Sequence, residues 1–561
     1  MASIHGKQIG GETYYYLREV ARVGGKPKII SQRYLGKAED IAAAMDGAVA
    51  LPERTRHMAF GALAATWGVL EELGVAEIID EVVGSRRSDA AASVGLYLAL
   101  ATANRVVDPR SKLAFAQWWA GTAGDRFLRL PAAALDHRRF WDAMDAVDPD
   151  ALVEIERRVA TRAVECFDLD LSGVVLDMTN FATFIDSANT RAPIAQRGKA
   201  KQKRHDLRLV GLGLVVTRDG GVPVVSHAYP GDRPDVTQFT HVLDELLGRW
   251  AALGGDPAEL TVAYDAGQNS TVNQEHLEAA GVGYVTSLPP SDHPALLAIP
   301  HADFEIIDDE RFPGVSGYDT TATAYGVTRR CVLTHSPDFH AAQARGFAQT
   351  LAKARRQLAE LQARLARGRT RKSAAGIQAE IDAILAPRWL SRVITVTLTG
   401  DTPAERRLRW RTNQRALAKL ETELFGKRLL FTNREAWPVA EVVATYRAQP
   451  DVEAAFRQLK DPKVVSFSPM FHWTDQKIRV HCFYTSLALQ VAHLMRRTAN
   501  QAGLHLSVRA LLAALAGIEE TVLLYPSTGG RPKARRMLTD LDDTQQRLYD
   551  LFGLHRYAPR A

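Results

Sequence analysis

The stretch "GVVLDMTNF", residues 173–181, decides the fold. Its opening apolar run is too brief for a helix, follows Ser172 and Gly173, and ends on an acid, Asp177. That pattern reads as a buried strand with a carboxylate at its end. Next, "LRLVGLGLVV" (207–216) turns through Asp219, Gly220 and Gly221 into "VPVVSHAYPG" (222–231), which predicts a hairpin with Asp219 as a turn residue. A helical pattern follows over 235–253, then a second buried strand, "LTVAYD" (260–265), ending on Asp265. A short helix near 271–280 and a strand "GYVTSL" (283–288) complete the series.

Strand, hairpin, helix, strand, helix, strand resembles the ribonuclease H-like mixed sheet, in which the first and fourth strands are neighbours. The expected fold class is therefore α/β, with Asp177 and Asp265 meeting at one edge, where open α/β sheets bind ligands. Residues 171–287 and 428–500 are assigned to this catalytic domain, the sheet resuming at "RLLFTN" (428–433). Between them, 288–427 is read as a large insertion with basic helices. Residues 1–57 carry "TYYYLREVARVGGKPKIISQRYLGK" (13–37), a β-hairpin about Gly24 and Gly25. Residues 58–170 show helical periodicity and are read as an all-helical domain, whose stretch basic at both ends of an apolar helix suits DNA binding as well as plain helical packing; 501–561 is read as a helical and basic tail.

The chain's 561 residues exceed what one core organises. Apolar residues at 46% and charged residues at 24% are globular values. Its longest apolar runs, such as "VGLYLALATA" (94–103), fall short of the roughly 18 residues of a membrane span. "MASIHGKQIGGE" (1–12) has no signal-peptide core, so a cytoplasmic, nucleoid-associated protein without a membrane partner is expected. Cys166, Cys331 and Cys482 are far apart and suggest neither disulfides nor zinc. The net charge is +6, yet "KARRQLAELQARLARGRTRK" (353–372) alone holds eight basic residues against one acid. Such clustering suits a polyanion partner, and it also suits a solvated helix face.

Near the carboxyl end, "YRAQPDVEAAFRQLK" (446–460) sets Glu453, Arg457 and Lys460 on one helical stripe. Alone, Glu453 and Arg457 read as a surface pair; beside Asp177 and Asp265, Glu453 completes an oxygen-only donor set suited to Mg²⁺ or Mn²⁺ and unsuited to zinc. Two such ions would serve phosphodiester displacement. Trp410, among Arg406, Arg407, Arg409 and Arg411 in a stretch read as helical, is a further basic and aromatic mixture that suits DNA.

The ensemble resembles the DDE transposases of bacterial insertion sequences, in the group marked by a Tyr, Arg, Glu, Lys signature. That frame falls on Tyr446, Gln449, Glu453 and Lys460, with Gln449 where the signature has arginine and Arg447 nearby. "LDMTNF", "YDAGQNS", "GKAKQKRHDL", "AYPGDRPD" and "FHWTDQKIRVHCF" are similar to the family's other conserved stretches. The resemblance implies that Asp177, Asp265 and Glu453 are catalytic and hold two metal ions. It further implies that Tyr446, Arg447, Arg457 and Lys460 contact DNA, together with Lys201, Arg204 and His205 of the basic loop and Arg409 and Trp410. The implied partners are double-stranded DNA, as transposon ends and target, and a second copy of the chain in a synaptic homodimer. The implied reaction frees a 3′-OH at the element end and joins it to target DNA. A metal-dependent nuclease of the same fold, or a DNA-binding derivative without catalysis, are the alternatives.

Overall fold

The computed structural model describes residues 2–23, 26–45, 51–84, 92–199, 201, 204, 206–369, 371–525 and 533–560. The expected turn at Gly24 and Gly25, and His205, lie outside the described residues.

The amino terminus forms a three-stranded antiparallel sheet of β1 (Ala2–Ile9), β2 (Glu12–Val23) and β3 (Lys26–Gly36). The expected hairpin is its second half. The extra strand β1 is exposed throughout, so it carries no burial pattern, and it turns into β2 through Gly10 and Gly11, both at positive φ. The next strand, β4 (Arg54–Ala59), leads into helices between 61 and 167.

β5 (Gly173–Thr183) is the hub of a nine-stranded mixed sheet. It pairs antiparallel with β6 (Arg208–Thr217), which pairs antiparallel with β7 (Pro223–Pro230). On its other side β5 runs parallel to β8 (Thr261–Tyr264), and β8 parallel to β9 (Gly283–Leu288). β8 and β9 are buried at every residue, which is why they read as uninterrupted runs rather than alternations. Helices pack along these strands: Phe239–Ala252 on β6 and β7, Gln449–Lys460 on β5 and β6, and Asp475–Gln501 on β7. The last is buried all round from Val480 to Met495, wedged between β7 and helices Gly61–Glu72 and Val94–Val107.

The sheet does not stop at β9. β10 (Glu305–Ile306), β11 (Ser316–Ala324) and β12 (Val327–His335) extend it, joined through β15 (Lys427–Thr432), which pairs antiparallel with β9. This corrects the placing of 305–335 in an insertion. The buried run Cys331–Leu333 needs a partner strand and finds it in Leu429–Phe431. The segment that leaves the sheet is shorter, about 336–426, and has its own core of Leu351, Leu358, Leu361, Leu365, Ile381 and Phe425. It contains helix Pro337–Ala366 and the two-stranded ribbon β13 (Ile394–Thr399) and β14 (Arg407–Thr412). Trp410 therefore lies on a strand, not a helix. The tail is likewise not purely helical. β16 (Glu519–Tyr525) and β17 (Lys533–Leu538) form a hairpin, and β16 pairs with β4 from the other end of the chain. No helix among the described residues is long and apolar enough to cross a membrane.

One buried cation ties the helical region to the sheet. Arg105, 1% exposed on helix Val94–Val107, donates to the carbonyls of Ser466 (3.2 Å), Ser468 (2.8 Å) and Pro469 (2.9 Å). These carbonyls belong to the segment that follows helix Gln449–Lys460, so the clamp fixes where that helix ends. Arg105→Met leaves three carbonyls without their donor and is expected to cost about 3 kcal/mol or more. The readout is the thermal midpoint and the rate of proteolysis within 461–474. An unchanged midpoint would contradict the clamp.

Candidate active site

Parallel pairing of β5 with β8 sets Leu176 opposite Tyr264. The next residue on each is an aspartate, so Asp177 and Asp265 lie at the same level on neighbours spaced about 4.8 Å, Asp265 just past the end of β8. Asp177 does not end its strand as expected: it pairs with Leu214 of β6, and β5 runs on to Thr183. Asp265 is exposed and Asp177 half-buried. Helix Gln449–Lys460 brings Glu453 to the same cavity, about 300 Å³, walled also by Arg428, Arg447 and Gln449. All three predicted carboxylates thus share one cavity.

They are not equivalent. Burial pushes the Asp177 carboxyl up to about 6, opposed by the Met178 N–H and Lys201 and reinforced by Asp265 and Asp235. Its Oδ1 accepts from the Met178 N–H at 2.7 Å. Glu453 is exposed, with Arg457 3.9 Å away on the next turn. Among the described residues no three His, Cys, Asp or Glu side chains converge to hold a metal ion. The chemistry of the two aspartates fits a hard divalent cation, because burial, with Asp265 adding to it, disfavours the charged Asp177 carboxylate and a cation would offset that.

Two lysines flank Asp177. Lys460, at the end of the glutamate helix, donates to Thr179 Oγ1 at 2.7 Å. Burial lowers its pKa, with Lys201 adding to the effect and Asp177 opposing it. Lys201 donates to the Met178 carbonyl at 2.5 Å and pairs with Asp235 at 2.7 Å. Asp235, from the loop "AYPGDRPD", also accepts from Tyr229 at 2.6 Å. It is a further acid beside Asp177 that the sequence reading quoted without assigning.

The signature residues are used in unexpected ways. Gln449 is 9% exposed, and its amide oxygen, in the orientation that satisfies its neighbours, accepts from the backbone N–H groups of Tyr264 (3.1 Å) and Asp265 (3.3 Å). An arginine has no acceptor and could not serve there. Tyr446 is 6% exposed, donates to Ser287 Oγ at 2.9 Å and accepts from Arg428 at 3.3 Å. Its hydroxyl is committed within the wall of the cavity. Arg428, on β15, brings a guanidinium to the cavity wall, held 4.5 Å over the Phe339 ring and 5.5 Å over that of Tyr446. Nothing in "KRLLFTN" marked it beforehand. Arg447 lies 4.9 Å over the Phe312 ring, its pKa lowered by burial and by Arg428.

Other predicted residues stand apart. Arg204 is exposed and paired with Asp206 at 2.7 Å. Arg409 and Trp410 belong to the ribbon of the 336–426 segment and do not line the cavity. Trp410 packs against that segment's core, with its Nε1 lacking a hydrogen-bond partner among the described residues.

No protein-family model matches this sequence, and no curated protein matches it. Among solved structures, the chain is similar to the piggyBac transposase in a synaptic complex with hairpin DNA determined by cryo-electron microscopy. That likeness is 8% identical with a TM-score of 0.34, and it covers 83% of this chain and 82% of that one.

Two stability measurements probe this geometry. A carboxyl held near 6 in the folded state destabilises it above its unfolded value: the penalty is absent below about pH 4, grows to about pH 6 and is complete above. Asp177→Asn should therefore be more stable than the parent at pH 8, by up to about 3 kcal/mol, and the difference should vanish at pH 4. A lower midpoint for the variant at pH 8 would contradict the assignment. Gln449→Ala strands two N–H groups and should cost about 1–3 kcal/mol. Gln449→Arg, although nearer the family signature, should cost at least as much; a neutral effect would show that the amide does not hold β8.

Proposed function

We propose that the chain is a DDE-type DNA transposase with a ribonuclease H-like catalytic domain, which cleaves DNA at the ends of its element and joins the freed 3′-OH to target DNA. The observation that carries this reading is the pair Asp177 and Asp265, on neighbouring parallel strands and flanked by Lys201 and Lys460. The strand order β7-β6-β5-β8-β9, antiparallel then parallel, supports the fold assignment.

Phosphodiester displacement needs an attacking oxygen that loses its proton and a phosphate whose charge is met as it passes through the transition state. Asp177 Oδ2 has no hydrogen-bond partner among the described residues, which leaves that oxygen open to a cation. Lys460, Lys201 and Arg428 supply positive charge around the same space. Gln449 keeps Asp265 in place from behind. Asp177, Asp265 and, after rotation, Glu453 would hold Mg²⁺ or Mn²⁺; when bound, such ions acidify the nucleophile and stabilise the leaving oxygen. Cleavage and joining are both displacements at phosphorus, so one site serves both. Two ends call for two active sites, hence a homodimer in the synaptic complex, acting on chromosomal DNA in the cytoplasm.

The test uses Mg²⁺ and duplex DNA carrying the repeats that flank the gene. The parent should yield 3′-OH ends and joined products. Asp177→Ala, Asp265→Ala and Glu453→Ala should each lose about a thousand-fold or more in cleavage, roughly 4 kcal/mol of transition-state stabilisation. Undiminished cleavage by any of the three would overturn the site. Cleavage without joining would identify a nuclease, and repeat binding with no cleavage by the parent would identify an inactive derivative.

A further inference from the structure

The basic excess of this protein is confined to one place. Residues 337–426 contain 17 Lys and Arg against 8 Asp and Glu, while the whole chain has 70 against 64. The remainder is thus slightly acidic, and any attraction to a polyanion is concentrated in the segment that leaves the sheet.

Within that segment the ribbon β13–β14 sorts its side chains by face. Its register sets Thr395 opposite Arg411, Thr397 opposite Arg409 and Thr399 opposite Arg407, all exposed. The alternate residues, Ile394, Val396, Leu398, Leu408 and Trp410, turn into the segment's own core. One face is therefore built of threonine and arginine alone, the arginines recurring about every 6.7 Å along the strand. Like charges at that spacing repel, and no acid stands opposite them to offset it. The side chains of Arg409 and Arg411 form no hydrogen bond or ion pair with any described residue, whereas the Arg407 guanidinium donates to the carbonyls of Ala404 (2.8 Å) and Arg406 (2.9 Å). The ribbon is two-stranded only, and it is backed by helix Pro337–Ala366 through Gln362 to the Leu408 carbonyl (2.8 Å) and Arg355 to Thr412 (3.1 Å).

We propose that this face seats in the major groove of duplex DNA, with Arg409 at base edges and Arg407 and Arg411 on the flanking phosphates. A two-stranded ribbon matches the width of that groove, about 12 Å. Arginine is the residue that reads guanine there, and threonine offers both a hydroxyl for base edges or phosphate and a methyl for thymine. The deep, narrow major groove of duplex RNA does not admit it. Trp410 takes no part, since its ring belongs to the core. The inference shares with the transposase reading only that the partner is DNA, and it requires nothing of the carboxylate cavity.

The experiment measures binding of the full-length protein to a 30-base-pair DNA duplex by fluorescence anisotropy across a salt series, with single-stranded DNA and an RNA duplex as competitors. The combined variant R407Q/R409Q/R411Q changes only exposed side chains, and its thermal midpoint checks folding. Expected are a loss of affinity of about tenfold or more and a salt slope shallower by about 2, near 0.9 for each of the two phosphate contacts released. The assay is run without divalent metal and reads binding alone, which separates this outcome from failure of the catalytic site. Unchanged affinity and slope in the triple variant would overturn the proposal, as would equal competition by the RNA duplex. Trp410→Phe should leave binding intact; a loss as large as that of the arginine variant would also overturn it.

Discussion

The cavity is built on one constraint: two carboxylates set side by side on adjacent parallel strands, one of them half-buried. Once β5 and β8 pair in register, Asp177 and Asp265 cannot move apart without breaking the sheet. Their neighbours manage the repulsion. Lys201 and Lys460 bring positive charge to Asp177, and Gln449 holds the backbone at Asp265 so that the strand end does not fray. Asp177 nonetheless remains poorly compensated, its burial raising its carboxyl to about 6.

The scaffold is organised to keep the third carboxylate within reach of the other two. Helix Gln449–Lys460 lies on β5 and β6, and the segment after it is locked by Arg105 from the helical region. Helix Asp475–Gln501 fills the space between that region and the sheet. The amino-terminal helices are thus part of the support of the site. The segment 336–426, by contrast, has a core of its own and carries the protein's basic excess on a surface that core does not need.

Much of this was legible in the sequence because it rests on short-range patterns. Buried strands announce themselves as brief apolar runs, and an aspartate closing each of two such runs marks a sheet edge. What could not be read depends on distant pairing. β1 is exposed and β16 needs β4 from the opposite end, so neither has a local signature. Arg428 and Asp235 acquire meaning only when β15 and the 230–235 loop are folded against the cavity. Trp410 was misread although "RLRWRT" alternates with period two; its arginines concealed a strand whose other face is apolar. Gln449, a mismatch to a sequence signature, is a match to two backbone donors.

The central claim is that Asp177 and Asp265 form a divalent-cation site, and Mn²⁺ uptake followed by electron paramagnetic resonance tests it without any DNA substrate. The account predicts that the parent binds Mn²⁺, more tightly as the pH rises through about 6 and Asp177 releases its proton, and that the Asp177→Asn, Asp265→Asn double variant does not. Equal uptake by parent and double variant, or uptake in the parent that ignores pH across that range, would contradict it.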